Sequence, residues 1–139
     1  MLSAPMMRAL EWLHGITEED CRRLRARGIR HTNQLLHATS LDIDRRRLAR
    51  RTGITEARLL EFARQCSLLE VSGTERHLPV LRRLGITSPR VLAGQDAREL
   101  HDRIVEAVGL AGAPRLSDVE YWISQARYLD IVEEPAAAV

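Results

Sequence analysis

A chain of 139 residues, 45% of them hydrophobic, is long enough to bury a core, which excludes a disordered protein. Its 21 basic residues are all arginine and balance 19 acidic residues to a net charge of +2, so total charge alone favours no partner. Apolar runs stay well below the about 20 residues that cross a bilayer, and the N-terminus lacks a secretory signal pattern, so we expect a soluble cytoplasmic protein.

Capping residues and glycines predict helices along the first half of the chain. Pro5 predicts a helix that ends near His14. Thr17 caps a second helix, which runs to Arg27 and ends at Gly28. Three more helices are predicted: a short one after Thr32, one from Ser40 or Asp42 to Arg51 closed by Gly53, and one capped by Thr55 that reaches about Leu69.

The second half of the chain repeats this order of helices. The predicted ranges are 75–84, 89–93, 96–108 and 117–130, and Ser117 and Glu120 have the spacing of a capping box. Alternating stretches enriched in β-branched residues are lacking, so we expect no β-sheet. Residues 133–139 are small and rich in alanine, and we expect them to form a frayed tail.

Apolar residues and glycines recur at a nearly constant offset. Leu24, Gly28, Ile29 and Leu35 return about 57 residues later as Leu81, Gly85, Ile86 and Leu92. The later matches pair Leu48, Gly53 and Ile54 with Ile104, Gly109 and Leu110, and Leu59, Phe62, Gln65, Cys66 and Leu69 with Val119, Trp122, Gln125, Ala126 and Leu129. The sequence therefore contains two versions of one helical pattern.

This repeat predicts two helical units, residues 1–68 and 69–132, packed into one compact all-α protein. Each unit should have its own core, because apolar positions keep their place while polar ones differ. The residues expected in the two cores are Leu24, Leu35, Leu48 and Phe62 in the first, and Leu81, Leu92, Ile104 and Trp122 in the second.

The order of these residues resembles known families. Gly15, Ile16 and Thr17 before a helix that ends at Gly28 and Ile29 resemble a helix-hairpin-helix unit of DNA repair and replication proteins. The whole order, with its later Leu48, Ala49, Thr52, Gly53, Ile54, Trp122 and Ala126, more closely resembles the bacterial family called domain of unknown function 4332, from about Leu10 to Leu129. The resemblance implies two tandem helix-hairpin-helix-like (SAM-like) units and no particular activity.

Side chains with catalytic or metal-binding chemistry are sparse. The five histidines lack metal-ligand spacing, and no serine or cysteine has the context of a nucleophile. Cys21 and Cys66 fall at apolar positions of the repeat, so we expect buried free thiols rather than a disulfide or metal ligands. We expect no enzyme, no metal site and no cofactor.

The two segments in the position of hairpins differ in charge. The first segment, 14–17, is followed by Glu18, Glu19 and Asp20, which favour the positive end of a helix dipole and repel a phosphate, so we interpret it as a packing hairpin. The second segment, 72–77, contains Gly73, Arg76 and His77 and is the better candidate for an anion site at a helix N-terminus. A solvated turn is an equally good interpretation of the second segment.

Positive charge is concentrated in the first half. Between Arg22 and Arg64, twelve arginines stand against four acidic residues, a balance of +8, while residues 1–21 and 65–139 each carry −3. Most of the excess lies in two clusters: Arg22, Arg23, Arg25, Arg27 and Arg30, and then Arg45, Arg46, Arg47, Arg50 and Arg51. We expect Leu41, Leu48 and Ile43 to point inward, which places Arg46, Arg47, Arg50 and Arg51 on the exposed side of their helix.

Three classes of function fit these patterns. The first is binding to a nucleic-acid backbone without sequence specificity, through Arg23, Arg27, Arg30, Arg46, Arg47, Arg50, Arg51, Gly73, Arg76 and His77. Duplex DNA is favoured over single strands because few aromatic residues are available for stacking. The second is a protein-interaction adaptor, which binds an acidic partner through the arginines, binds a basic partner through the acidic second half, or pairs head to tail with itself. The alternative to any basic binding surface is an Arg-rich solvated face without a partner. The third, a small-molecule or catalytic role, would require a deep pocket.

Overall fold

The computed structural model describes residues 7–129 and 132, and this part of the chain contains helices and no strands. The helices in chain order are α1 (Glu18–Arg25), α2 (Thr32–Thr39), α3 (Asp42–Thr52), α4 (Glu56–Leu69), α5 (Leu78–Arg83), α6 (Pro89–Ala93), α7 (Ala97–Val108) and α8 (Leu116–Ala126). Two short 3-10 turns, Leu10–Trp12 and Glu75–His77, precede α1 and α5. The all-α expectation is confirmed for the described residues. None of the helices described is both long and apolar enough to cross a membrane.

The chain divides into two compact units, with the boundary after Ser67 near the end of α4. In the first unit, α1 and α2 both pack against α3. The core of this unit contains Leu24, Leu35, Leu48 and Phe62, as the repeat predicted, and Val132 packs into it. The expected frayed tail, 133–139, lies outside the described residues.

The predicted helix from Pro5 to near His14 is wrong over its described residues, where only the turn Leu10–Trp12 is helical. The described residues before this turn instead form hydrogen bonds with the start of α2. The Thr32 N–H donates to the Arg8 carbonyl over 2.8 Å, and the Arg8 N–H donates to the Thr32 hydroxyl over 2.9 Å. These contacts, with an isolated bridge between Ala9 and His31, hold the segment extended.

The inward positions at the start of α3 were also mispredicted. Leu41 and Ile43 are 51% and 55% exposed, whereas Arg45 is only 2% exposed. Arg45 is buried because its guanidinium donates to the carbonyls of Thr39 and Ser40, over 2.8 and 3.1 Å, at the end of α2. An arginine that caps a neighbouring helix therefore occupies the place expected for an aliphatic side chain.

In the second unit, α8 packs against α6 and α7, and α5 packs against α7. The helix predicted over 75–84 is divided into the turn Glu75–His77 and α5. The capping box expected from Ser117 and Glu120 is wrong, because α8 begins earlier and the Asp118 carboxylate accepts from the Arg115 N–H over 3.0 Å. The four predicted core residues, Leu81, Leu92, Ile104 and Trp122, are all buried.

Local geometry repeats between the two units. The Ile29 N–H donates to the Leu24 carbonyl over 3.0 Å, and the Ile86 N–H donates to the Leu81 carbonyl over 2.8 Å. At the end of α3 the Gly53 N–H donates to the Ala49 carbonyl, and at the end of α7 the Gly109 N–H donates to the Val105 carbonyl, each over 2.8 Å. The repeat fails at one position, because Ile54 is 2% exposed and its expected match Leu110 is 77% exposed.

Candidate functional site

The first hairpin, defined as residues 14–17, is fastened by side chains from α4. The Gln65 side-chain amide accepts from the His14 N–H over 2.8 Å and donates to the His14 carbonyl over 3.0 Å. The Arg58 guanidinium donates to the Gly15 carbonyl over 3.2 Å and lies over the Phe62 ring. These contacts give the first hairpin a role in packing.

The N-terminus of α1, next to this hairpin, is closed by the protein's own groups. Thr17 and Asp20 form a capping box in which each accepts from the backbone N–H of the other over 3.0 Å. Asp20 is buried, and its carboxylate accepts two hydrogen bonds from Arg58, one of them 2.9 Å long. Burial raises the pKa of Asp20, but the hydrogen bonds from Arg58 and Thr17 outweigh burial and hold this pKa below its usual value. An ionised carboxylate therefore lies where a phosphate would have to approach.

The second hairpin, defined as residues 72–77, is fastened by the matching glutamine. The Gln125 side chain accepts from the Ser72 N–H over 2.9 Å. His77 packs against Trp122 with ring centroids 5.3 Å apart. Burial lowers the pKa of His77, and Arg76 lowers it further, while Asp118 opposes both. This leaves exposed Arg76 as the cation of the second hairpin near neutral pH, and the following helix, α5, has only six residues.

The two arginine clusters, which are separated in sequence, meet at the C-terminus of α3. The Arg23 guanidinium donates to the Thr52 carbonyl over 3.0 Å, and the Arg27 guanidinium donates to the Arg51 carbonyl over 3.3 Å. Cations at this end of α3 offset the negative end of its dipole. The charge of the first cluster is thus brought beside the charge of the second.

The arginines of α3 form the exposed part of this region. We call Arg27, Arg46, Arg47, Arg50 and Arg51 the basic surface, and all five are exposed. Arg46 pairs with Asp42 over 2.9 Å, and Arg47 is 3.9 Å from Asp44. Within the described residues, the guanidinium groups of Arg50 and Arg51 have no ion-pair partner. The ion pairs of Arg46 and Arg47 are exposed and therefore weak, so these two arginines also remain open to a ligand.

The other predicted binding residues have different surroundings. Arg23 is exposed, pairs with Glu19 over 2.8 Å and also donates to the Thr52 carbonyl, so fewer of its N–H groups remain for a ligand. Arg30 is exposed, and it does not line the groove described next. Gly73, Arg76 and His77 belong to the second unit, whereas the basic surface belongs to the first.

A groove of about 340 Å³ lies between the end of α1, α2 and α3. Its floor contains the nearly buried side chains of Ile29 and Leu48, together with Ala38. Its polar lining consists of Arg27, His37, Asp44, Arg47 and Arg51. The groove therefore combines an apolar floor with three arginines that converge from two distant parts of the sequence.

The family to which the chain belongs is identified by comparison with known protein families. The family described as Domain of unknown function (DUF4332) matches residues 14–129. The chain belongs to the DUF4332 family. No curated protein and no solved structure matches it.

Several residues that shape this DUF4332 protein were not recognised from the sequence. Gln65 and Gln125 were matched in the repeat, but nothing in the sequence showed that they bind the hairpins. Arg58 was not singled out in the sequence, and Arg45 was counted only as a member of the second arginine cluster. Arg58 makes long-range contacts and Arg45 caps a neighbouring helix. Among the described residues, no three or more His, Cys, Asp or Glu side chains are grouped so that they could hold a metal ion.

Proposed function

We propose that this protein binds the sugar-phosphate backbone of nucleic acid, with duplex DNA as the favoured form, through the basic surface of its first unit. The observation that carries the proposal is the meeting of the two arginine clusters at the end of α3. It places Arg27 beside the exposed arginines of α3 in a segment with a charge balance of +8. Such a concentration of cations releases counterions when it neutralises phosphates, which drives association.

The chemistry of the surface favours binding that is independent of base sequence. Its exposed cations are guanidinium groups, which match the geometry of phosphate oxygens. Backbone contacts of this kind position a protein on nucleic acid without specifying a sequence. Phe62 and Trp122 are buried and therefore not available for stacking with bases. Because stacking contributes much of the affinity for single strands, we favour the duplex.

The proposal is tested with the quadruple variant Arg46→Gln, Arg47→Gln, Arg50→Gln, Arg51→Gln. We expect weaker binding to all duplex sequences alike, because the lost contacts are to the backbone. The slope of log affinity against log salt should fall by up to about 0.9 for each lost phosphate contact. Fluorescence anisotropy with two unrelated duplexes across a salt series measures both effects.

A matched control removes the same number of charges from the second unit. The exposed residues Arg83, Arg90, Arg98 and Arg127 are changed to Gln together. This control should retain most of the affinity and the salt slope of the unmodified protein. Equal losses in the two quadruple variants, or no duplex binding by the unmodified protein at low salt, would remove the support for a basic surface that binds DNA.

A protein-interaction adaptor is the second candidate. Leu41 and Ile43 are about half exposed and adjoin Arg46 and Arg47, so this face offers apolar and cationic contacts together. Such a face suits an acidic partner that has aliphatic side chains. In this case the unmodified protein would bind no duplex DNA at physiological salt, and Leu41→Ser with Ile43→Ser would abolish partner binding.

We also propose a more specific description of the two helical units. We assign helix-hairpin-helix character to both units, supported by a glycine at positive φ in each hairpin, Gly15 and Gly73. We further assign a non-catalytic role in the bacterial cytoplasm. We assign the hairpins themselves a role in packing, because Gln65, Gln125 and Arg58 bind their polar groups within the protein.

A further inference from the structure

We infer that the groove between α1, α2 and α3 binds a terminal phosphate monoester carried by a nucleoside, at the end of a strand or on a free nucleotide. The inference rests on the proposed function in that Arg27, Arg47 and Arg51 belong to both the groove and the basic surface. It adds to that function a preference for phosphorylated ends. A contact to the side of a duplex requires no such preference.

The charge of the groove matches a monoester better than a diester. Three arginines and one aspartate give the lining a formal charge of +2 when His37 is neutral. A phosphate monoester carries about −1.5 to −2 near neutral pH, whereas each phosphate within a strand carries a single negative charge. The end of a strand therefore neutralises the groove more completely than an internal phosphate does.

The guanidinium groups retain donors for such a ligand. Arg27 donates to the Arg51 carbonyl over 3.3 Å, and this contact uses one of its five N–H groups. Arg47 is 3.9 Å from the Asp44 carboxylate, which is beyond a normal hydrogen bond. A monoester has three terminal oxygens, so it can accept from Arg27, Arg47 and Arg51 together.

The shape of the groove also favours a single phosphate-bearing unit. Its volume of about 340 Å³ is at the lower end of the range of small-ligand pockets, about 300–1,000 Å³. Ile29, Ala38 and Leu48 form an apolar floor against which the carbon atoms of a sugar can pack.

The first arm of the test compares two duplexes of identical sequence, one with 5′-phosphate ends and one with 5′-hydroxyl ends. We expect the phosphorylated duplex to bind about tenfold more tightly, as charge-assisted hydrogen bonds to one dianion provide. The second arm uses a deoxynucleoside 5′-monophosphate and the matching nucleoside as competitors. If the monophosphate competes and the nucleoside does not, a free nucleotide also enters the groove.

Two matched variants of α3 separate the groove from the general basic surface. Arg47→Gln with Arg51→Gln removes two groove arginines, and Arg46→Gln with Arg50→Gln removes two arginines that do not line the groove. The preference for the 5′-phosphate should disappear only in the groove variant. Arg47→Lys with Arg51→Lys keeps the charge and should retain duplex binding while the preference falls, because lysine lacks the planar fork. Circular dichroism and thermal melting check that every variant folds.

The outcomes distinguish failure of this inference from failure of the proposed function. Equal binding of the two duplexes, or an equal loss of preference in both double glutamine variants, overturns the inference and leaves backbone binding in place. Absence of duplex binding together with groove-dependent binding of the monophosphate supports the groove and overturns the proposed function. A phosphoserine peptide that competes more strongly than the nucleotide overturns the nucleoside assignment, and failure of all these probes to bind overturns both proposals.

Discussion

At the scale of single residues, the position of Asp20 shows how a buried charge is kept ionised. Its carboxylate accepts from Arg58 and Thr17, while Arg58 also reaches Gly15. The aspartate therefore connects the N-terminus of α1 to α4 and to the first hairpin. The sequence placed Asp20 correctly at the start of a helix, but its partner is 38 residues away and only the fold brings it near.

We expect Asp20→Asn to lower the free energy of unfolding by about 2 kcal/mol, less than the about 3–5 kcal/mol of a fully buried pair. The loss is smaller because the Arg58 side chain is 40% exposed and regains water. Urea unfolding measures the change. The exposed Glu19→Gln, which also removes a carboxylate from the first turn of α1, should have a much smaller effect.

The pH dependence of stability follows from the lowered pKa of Asp20. Because this pKa is below the unfolded value of 3.8, the stabilisation is fully present above about pH 4 and is lost as pH falls through the folded pKa. Asp20→Asn should therefore show a weaker loss of stability in this acidic range than the unmodified protein. Identical acid profiles for the two proteins would contradict a lowered pKa at this residue.

His77 gives a second prediction, which concerns the second hairpin. Burial and Arg76 lower its pKa, so NMR titration should place it below the ordinary value of 6.5. Protonation of His77 is less favourable in the folded protein than in the unfolded one. The free energy of unfolding should therefore decline as pH falls below about 6.5 and through the folded pKa. Addition of duplex DNA should leave the titration unchanged. A rise in this pKa on addition of DNA would place a phosphate at the second hairpin instead of at the basic surface.

At the scale of elements, caps and glycines located most helices because these determinants act over a few residues. The Gly53 terminus of α3 and the Pro89–Ala93 helix are as predicted. The helix expected after Pro5 failed because pairing of Arg8 with Thr32, 24 residues away, outweighs local preference. The burial of Arg45 was not foreseen for the same reason, since its partners are the carbonyls at the end of another helix.

The attachment of the first hairpin to α4 by Gln65 is a testable property of these elements. Gln65→Ala removes both contacts to the His14 backbone and should lower the free energy of unfolding by about 1 kcal/mol. It should also speed hydrogen exchange of the His14 amide, which NMR measures. The control Gln95→Ala removes only a contact to Val91 within the adjacent turn, and it should leave the His14 amide protected.

At the scale of the whole molecule, the repeat predicted two sets of core residues, and all eight are buried. Apolar spacing within the middle of a helix predicted these inward side chains well, whereas Leu41 and Ile43 at the start of α3 were expected inward and are half exposed. The candidate site could be predicted only in part. The exposed arginines of α3 follow from its helical spacing, but their meeting with Arg27 and the groove between them depend on how α1, α2 and α3 pack. Leu110 shows that the repeat itself is approximate.

The distance along the chain between each hairpin and its glutamine has a consequence for protein synthesis. The hydrogen bond of the His14 N–H requires Gln65, which is synthesised 51 residues later. The hydrogen bond of the Ser72 N–H requires Gln125, which is synthesised 53 residues later. At about 5–20 residues per second, a ribosome takes about 3–10 seconds to add a segment of that length. Each hairpin is therefore made early and secured late, so the nascent chain displays it unfastened until the last helix of its unit has been translated.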